Sequence, residues 1–273
     1  MNKKRFYKSL KGTSETRSGR LKRSVSESRW NLAHVSEEEF WKDFSTESLE
    51  KTSKKKNDYR AKLMLEEWSK YLKIGKNTRI LQIGCGPEDV INHFKTGLRY
   101  SVDPLADFYK KQFKFDYKSS HLIKATGENL PFKDNYFDIV VLTNVLDHTN
   151  LPTKVLSEIN RVLKKRGLFH FENYVFQKRF LRIARIWGFI KKMFKKEIYN
   201  IHHPYMFTMQ DLKDLISPNF IIVREEIGRD PGNYENIEEL FELTKKQGNL
   251  NLKLLLSLGL IGGINYTIIT RKK

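Results

Sequence analysis

The chain has 273 residues, 39% of them apolar and 12% aromatic, enough for one large domain with a packed core and appendages. Lys and Arg number 51 against 32 Asp and Glu, a formal charge of +19. That excess favours anionic partners such as nucleic acid, acidic lipid headgroups or phosphorylated substrates, and basic tails on a neutral core are the plainer explanation. The single cysteine, Cys85, excludes an intramolecular disulfide and a cysteine-cluster zinc site. The basic N-terminus lacks the apolar run of a signal peptide, so a cytoplasmic protein is expected.

Residues 1–29 hold ten Lys or Arg, two Glu and many Ser, the composition of a disordered basic tail. "WNLAHVSEEEFWKDF" (30–44) is amphipathic and aromatic and predicts a helix that packs on something. "EKTSKKKND" (50–58) predicts a polar linker, so the main domain is expected over 59–273. A helix over 59–72 follows, with Leu63, Leu65, Trp68 and Leu72 at helical spacing and Gly75 as a stop.

Strands and helices then alternate. "RILQIG" is a strand, "EDVINHFKT" a short helix, "RYSVD" (99–103) a strand and 104–113 a helix. "HLIKAT" (121–126) is a strand, and "FDIVVLTNV" (137–145) is one with the near-continuous apolar run of a parallel sheet covered on both faces. The helix over 151–165 has Pro152 in its first turn, and "GLFHFENY" (167–174) is the next strand. A basic insertion (176–200) precedes a helix over 208–216, a strand over 219–228, a helical excursion over 235–258 and a last strand "INYTIIT". The segment 254–270 carries no charge over 17 residues, but its glycines and its Ile/Tyr/Thr alternation fit a helix, a turn and a strand better than a membrane span. The whole is an α/β doubly wound pattern.

"RILQIGCGP" (79–87) is a buried strand running into a glycine turn, a place for a ligand. A triphosphate loop needs Lys then Ser or Thr, and a dinucleotide turn needs a third glycine where Asp89 stands. Glu88 and Asp89 would repel a pyrophosphate at that helix start. Asp103 closes the second strand, 17 residues after Gly86, and its carboxylate can accept from both hydroxyls of a ribose. A ribose without a pyrophosphate points to an adenosyl ligand with a sulfonium and an amino-acid tail.

The stretch resembles the class I S-adenosylmethionine-dependent methyltransferases, in particular the small-molecule, quinone-methylase-like group of the methyltransferase domain 11 type. The resemblance continues through "ENLPFKDNYFDIVVLTNVLDHT" (128–149) and "VLSEINRVLKKRGLFHF" (155–171), covering about 79–175. It implies a Rossmann-like, mostly parallel seven-stranded sheet with an antiparallel last strand, a helical N-terminal extension, helical lid insertions, and S-adenosyl-L-methionine as cofactor. It also implies that Gly84, Cys85 and Gly86 approach the methionine part through backbone groups, with Gln82 at the strand end. Asp103 would hold the ribose, Pro104 would lie near the adenine, and Gly127 and Glu128 would flank its edge. Asn144 would face cofactor and substrate. Three positions depart from the pattern: Gln82 replaces an acid, Glu88 a glycine, and Thr126 the acid that reads the adenine amino group. They keep a cofactor-dead binding protein among the readings.

Methyl transfer needs alignment of the nucleophile and removal of water, and a general base where the acceptor is a hydroxyl. His148, after the fourth strand, is the first candidate, with Asp147 as orienting partner; capping of the following segment is the competing role. His202 and His203 with Tyr205, in "NIHHPYMFT", resemble a segment of methyltransferases in saccharide or lipid modification and form a second candidate set for base or substrate contact. They make a poor metal site, so no metal is expected. The insertion 176–199 puts eight cations on an amphipathic segment that includes Arg185 and Trp187. It reads as a surface for acidic membrane, with the protein peripheral at the inner face, or as a lid over an anionic acceptor, or as a solvated face over a core stripe. The expected reaction is methylation of a small-molecule, saccharide or lipid-linked acceptor at oxygen. RNA methylation is the alternative that net charge supports and that "TNVLDH" does not, since no base-amine motif stands there.

Overall fold

The computed structural model describes residues 24–88, 90–115, 120–178, 180–183, 186, 204–227 and 263–273. Trp187, Arg185, His202 and His203, most of the tail and of the basic insertion, and the excursion over 235–258 lie outside the described residues.

Among the described residues seven strands form one sheet: β1 (Arg79–Ile83), β2 (Leu98–Asp103), β3 (Leu122–Lys124), β4 (Phe137–Thr143), β5 (Leu163–Val175), β6 (Phe220–Ile227) and β7 (Ile264–Lys272). Their order is β3-β2-β1-β4-β5-β7-β6. The first five are parallel, and β7 runs antiparallel between β5 and β6. The doubly wound sheet with an antiparallel last strand is as the sequence implies. Among the described residues no helix is long and apolar enough to cross a membrane. Of the segment 254–270, residues 264–270 belong to β7.

The sheet is covered on both faces, which is why β4 reads as an unbroken apolar run: Phe137 and Ile139 to Leu142 are all fully buried. One face packs under α4 (Pro152–Val162) and α5 (Met209–Ile216), through Val155, Ile159, Leu212 and Ile216 against Leu81, Val140 and Phe169. The other packs under α2 (Thr46–Ser69), through Ala61, Met64 and Trp68 against Ile80, Ile139, Val141 and Ile269. α1 (Glu27–Lys42) joins this layer where Trp41 and Phe44 meet Leu49, Tyr109 and Phe113 beside α3 (Ala106–Gln112).

Three expectations change. The linker over 50–58 is helix: α2 runs unbroken across it, so a domain boundary between 58 and 59 would fall inside one element. The helix after the glycine turn shrinks to a 3₁₀ turn over Val90–His93. Finally, α4 ends at Val162 and β5 begins at once, before Gly167. The pairing of β4 with β5 jumps from Phe137↔Leu163 to Ile139↔Leu168, so "KKRG" is a bulge, with Arg166 at φ 63°. Asp138 fastens it by accepting from Lys164 Nζ at 2.6 Å and from the Arg79 N–H at 2.8 Å.

Candidate active site

The strand order reverses between β1 and β4, and the carboxyl ends of β1, β2 and β4 open there onto one cavity of about 250 Å³. Each strand end delivers a different group. β1 delivers the glycine turn. Gly84 and Gly86 both have φ in the left-handed region, 63° and 66°. A Cβ on Gly84 would stand 2.4 Å from Val145 Cγ2, whereas a Cβ on Gly86 would meet nothing within 4 Å. The first glycine is required by packing; the second faces open space.

β2 delivers Asp103, which is buried. Its Oδ2 accepts the Gly86 N–H at 3.0 Å and its Oδ1 the Leu105 N–H at 2.8 Å, so one carboxylate ties the glycine turn to the turn after β2. Each oxygen keeps a lone pair for a further donor. Burial pushes the carboxyl up to about 7, against the pull of those two N–H donors. β4 delivers Asn144, at φ 55°, whose Oδ1 is buried without a hydrogen-bond partner among the described residues.

The other expected residues fall on the same cavity: Gln82, Cys85, Pro104, Gly127, Glu128 and His148 all line it. Two of them are engaged structurally as well. Gln82 Oε1 accepts the Ile91 N–H at 3.3 Å and so holds the 3₁₀ turn. Glu128 Oε1 accepts from the Asn150 and Leu151 N–H groups at 2.7 and 3.2 Å, anchoring the start of α4. Asp147 is buried beside His148, with Oδ2 at 3.9 Å from Nε2. Tyr205 departs from its expected role. It is buried in the core, stacks on Phe207, and donates its hydroxyl to the Asn150 carbonyl at 2.8 Å. Its hydroxyl braces the loop after β4 and does not line the cavity.

Sequence reasoning missed the roof. Trp30, His34, Glu37 and Trp41 on α1, and Asn57 and Arg60 on α2, complete the lining. Glu37 Oε2 lies 3.7 Å from His148 Nδ1. His34 packs against Trp30 with ring centroids 4.1 Å apart. Burial holds the His34 imidazole below its ordinary value; Glu37 and Glu128 push it back up, and His148 lowers it further. Arg60 donates to Glu172 at 2.6 Å, and Glu172 also accepts from Asn265 at 2.6 Å. The helical spacing of α1 was visible, but nothing in it says which strand end the helix crosses.

A family model described as a methyltransferase domain matches residues 81–171. Thiol S-methyltransferase TMT1B of Mus musculus is 36% identical over 106 residues, 36% of this chain and 43% of that protein. The sterol 24-C-methyltransferase of Clavispora lusitaniae is 30% identical over 147 residues, 46% of this chain and 39% of that protein. The chain thus spans less than half the length of either relative. Among solved structures, geranyl diphosphate C-methyltransferase of Streptomyces coelicolor A3(2), in complex with Mg²⁺, geranyl diphosphate and S-adenosyl-L-homocysteine, aligns over 79% of each chain with a TM-score of 0.52 at 12% identity. The chain carries a class I S-adenosylmethionine-dependent methyltransferase domain. The cofactor of that class is S-adenosylmethionine, and the residues present fit it. Gly86 leaves room for a ligand, Asp103 keeps lone pairs for a ribose, and Asn144 holds an unused buried acceptor.

Proposed function

We propose that this protein methylates a small molecule at a hydroxyl oxygen or thiol sulfur, using S-adenosylmethionine. The observation that carries the reading is a single cavity shared by two sets of groups. Gly86, Asp103 and Asn144 stand at the strand ends, and His34 and Glu37 of α1 stand near His148 in the same lining. The names of the thiol-methylating relatives support an acceptor of this kind.

Gly84, Gly86, Asp103, Pro104 and Asn144 would hold the cofactor, which supplies an electrophilic methyl group on a sulfonium. The chain's own work is then alignment, exclusion of water and removal of one proton. Trp30 and Trp41 line the cavity with apolar surface. His34, kept neutral by burial, and His148, beside Glu37 and Asp147, are the groups that can take the acceptor proton at an imidazole nitrogen. A hydroxyl and a thiol both become stronger nucleophiles when that proton leaves.

Methyl transfer from labelled cofactor to a panel of small thiols and phenols tests this. Wild type is expected to label at least one, with His148→Gln and His34→Gln lowering kcat by about 10²–10⁴-fold for the less acidic acceptors. A protein that binds the cofactor by calorimetry and labels no small acceptor overturns the proposal in favour of a binding protein. Saccharide or lipid-linked acceptors, a membrane surface and RNA rest on residues outside the described ones or on net charge alone, and the cavity favours none of them.

A further inference from the structure

The amino-acid tail of the cofactor carries an ammonium, and the residue at the end of β1 that would balance it is an uncharged one, Gln82, already committed through Oε1 to the Ile91 N–H. Six residues further on, the same turn carries an acid where the family pattern has glycine. Glu88 lines the cavity, as do Gln82, Gly86 and Asn57. Its side chain is only 12% exposed. Its two oxygens have different surroundings. Oε1 faces His93 Nε2 at 3.5 Å. Oε2 is buried and has no hydrogen-bond partner among the described residues. A buried carboxylate oxygen without a donor is costly.

The side chain is also held in place. His93 Nδ1 lies 2.8 Å from Asp58 Oδ1 on α2, so the imidazole is clamped between Asp58 and Glu88. Hydrogen bonding to Glu88 is the largest reason its imidazole sits above the ordinary value, with Asp58 adding to it and burial opposing. Glu88 is therefore braced from behind with one oxygen left over. A glycine or alanine at 88 would leave His93 with Asp58 alone.

Resting on the cofactor reading above, we propose that Glu88 is the counter-charge for the cofactor's ammonium, having taken over from position 82. The two departures from the family pattern, an acid lost at Gln82 and an acid gained at Glu88, are then one change rather than two defects.

Calorimetry with two ligands tests it: S-adenosylmethionine, and 5′-methylthioadenosine, which keeps the adenosyl group and lacks the amino-acid tail. Glu88→Gln is expected to weaken S-adenosylmethionine about tenfold or more and to leave methylthioadenosine unchanged, which also shows that the variant is folded. Gln82→Glu added to Glu88→Gln should restore most of the loss. The inference is overturned if Glu88→Gln changes S-adenosylmethionine affinity by less than about twofold, or if both ligands weaken together. A wild-type protein that binds neither ligand overturns the cofactor reading itself, a result distinct from those two.

Discussion

The two glycines of the turn after β1 are alike in backbone and opposite in surroundings. Alanine at Gly84 adds left-handed strain to a collision with Val145, so Gly84→Ala should cost about 2–4 kcal/mol and lower the thermal midpoint. Alanine at Gly86 meets only open space, so Gly86→Ala should cost about 1–2 kcal/mol in strain and instead abolish most cofactor binding in calorimetry. A stable Gly84→Ala, or a Gly86→Ala that binds normally, would count against this division. At this scale the sequence was most readable where chemistry is local: the glycine turn, Asp103 and Asn144 follow one another along strand ends. Glu88 was visible as an oddity. Its use was hidden, because His93, Asp58 and the cavity meet it only through the fold. His34 and Glu37 were hidden for the same reason, since no spacing links α1 to His148.

At the scale of elements, α2 shows why a helix can look like a linker. Its inward face is Leu49, Ser53, Asn57, Ala61, Met64 and Trp68, with helical spacing throughout. The middle of that face is small or polar because Asn57 fronts the cavity, so the apolar stripe vanishes while the exposed lysines remain. A capping box between Ser45 and Ser48 starts the helix, and lysine is a good helix former. The apolar residues that suggested the later helix included Leu63, which is 45% exposed; Met64 is the buried one. α2 is tied to the sheet by Trp68, whose indole N–H donates to His170 Nδ1 on β5 at 3.1 Å. Burial depresses that imidazole to about 4 from 6.5. The unfolded chain therefore takes up this proton first, so the stability from this site is fully present above pH 6.5 and is lost as pH falls toward 4. Urea titrations across that window should show it. His170→Gln, which still accepts from the indole but does not titrate, should flatten the acid side; an unchanged profile would remove His170 as its cause.

Over the whole molecule, charge is sorted by place. The chain is strongly basic, yet the described cavity walls carry Glu37, Glu88, Asp103 and Glu128, while Arg60 is paired with Glu172. Net charge read from composition suggested anionic partners; the described lining of the cavity has more acids than bases, which disfavours an anionic acceptor. Three thiols that differ in charge beside the same nucleophile make this measurable. Cysteamine and 2-mercaptoethanol should be methylated with kcat/KM about tenfold or more above mercaptoacetate, and an equal rate for mercaptoacetate would mean that the carboxylates do not face the acceptor. The fold itself was legible from alternation and from the apolar run of β4. The place of the strand-order reversal, and hence the convergence of β1, β2 and β4, was not, because strand order is set by pairing between residues far apart in the chain.

The position of β7 has a consequence for how the protein is made. β7 follows the other six strands in the chain, yet it sits between β5 and β6 and pairs with both, from Val175↔Ile264 to Leu168↔Arg271 on one side and along Phe220–Ile227 on the other. Until β7 is synthesised, β5 lacks its strand partner on that side and, among the described residues, β6 has no strand partner at all. An emerging chain can assemble β1 to β5 early, but it must wait with an open edge of the kind that recruits other chains. β7, the last of these seven in chain order, is the one that turns two unfinished edges into a single sheet.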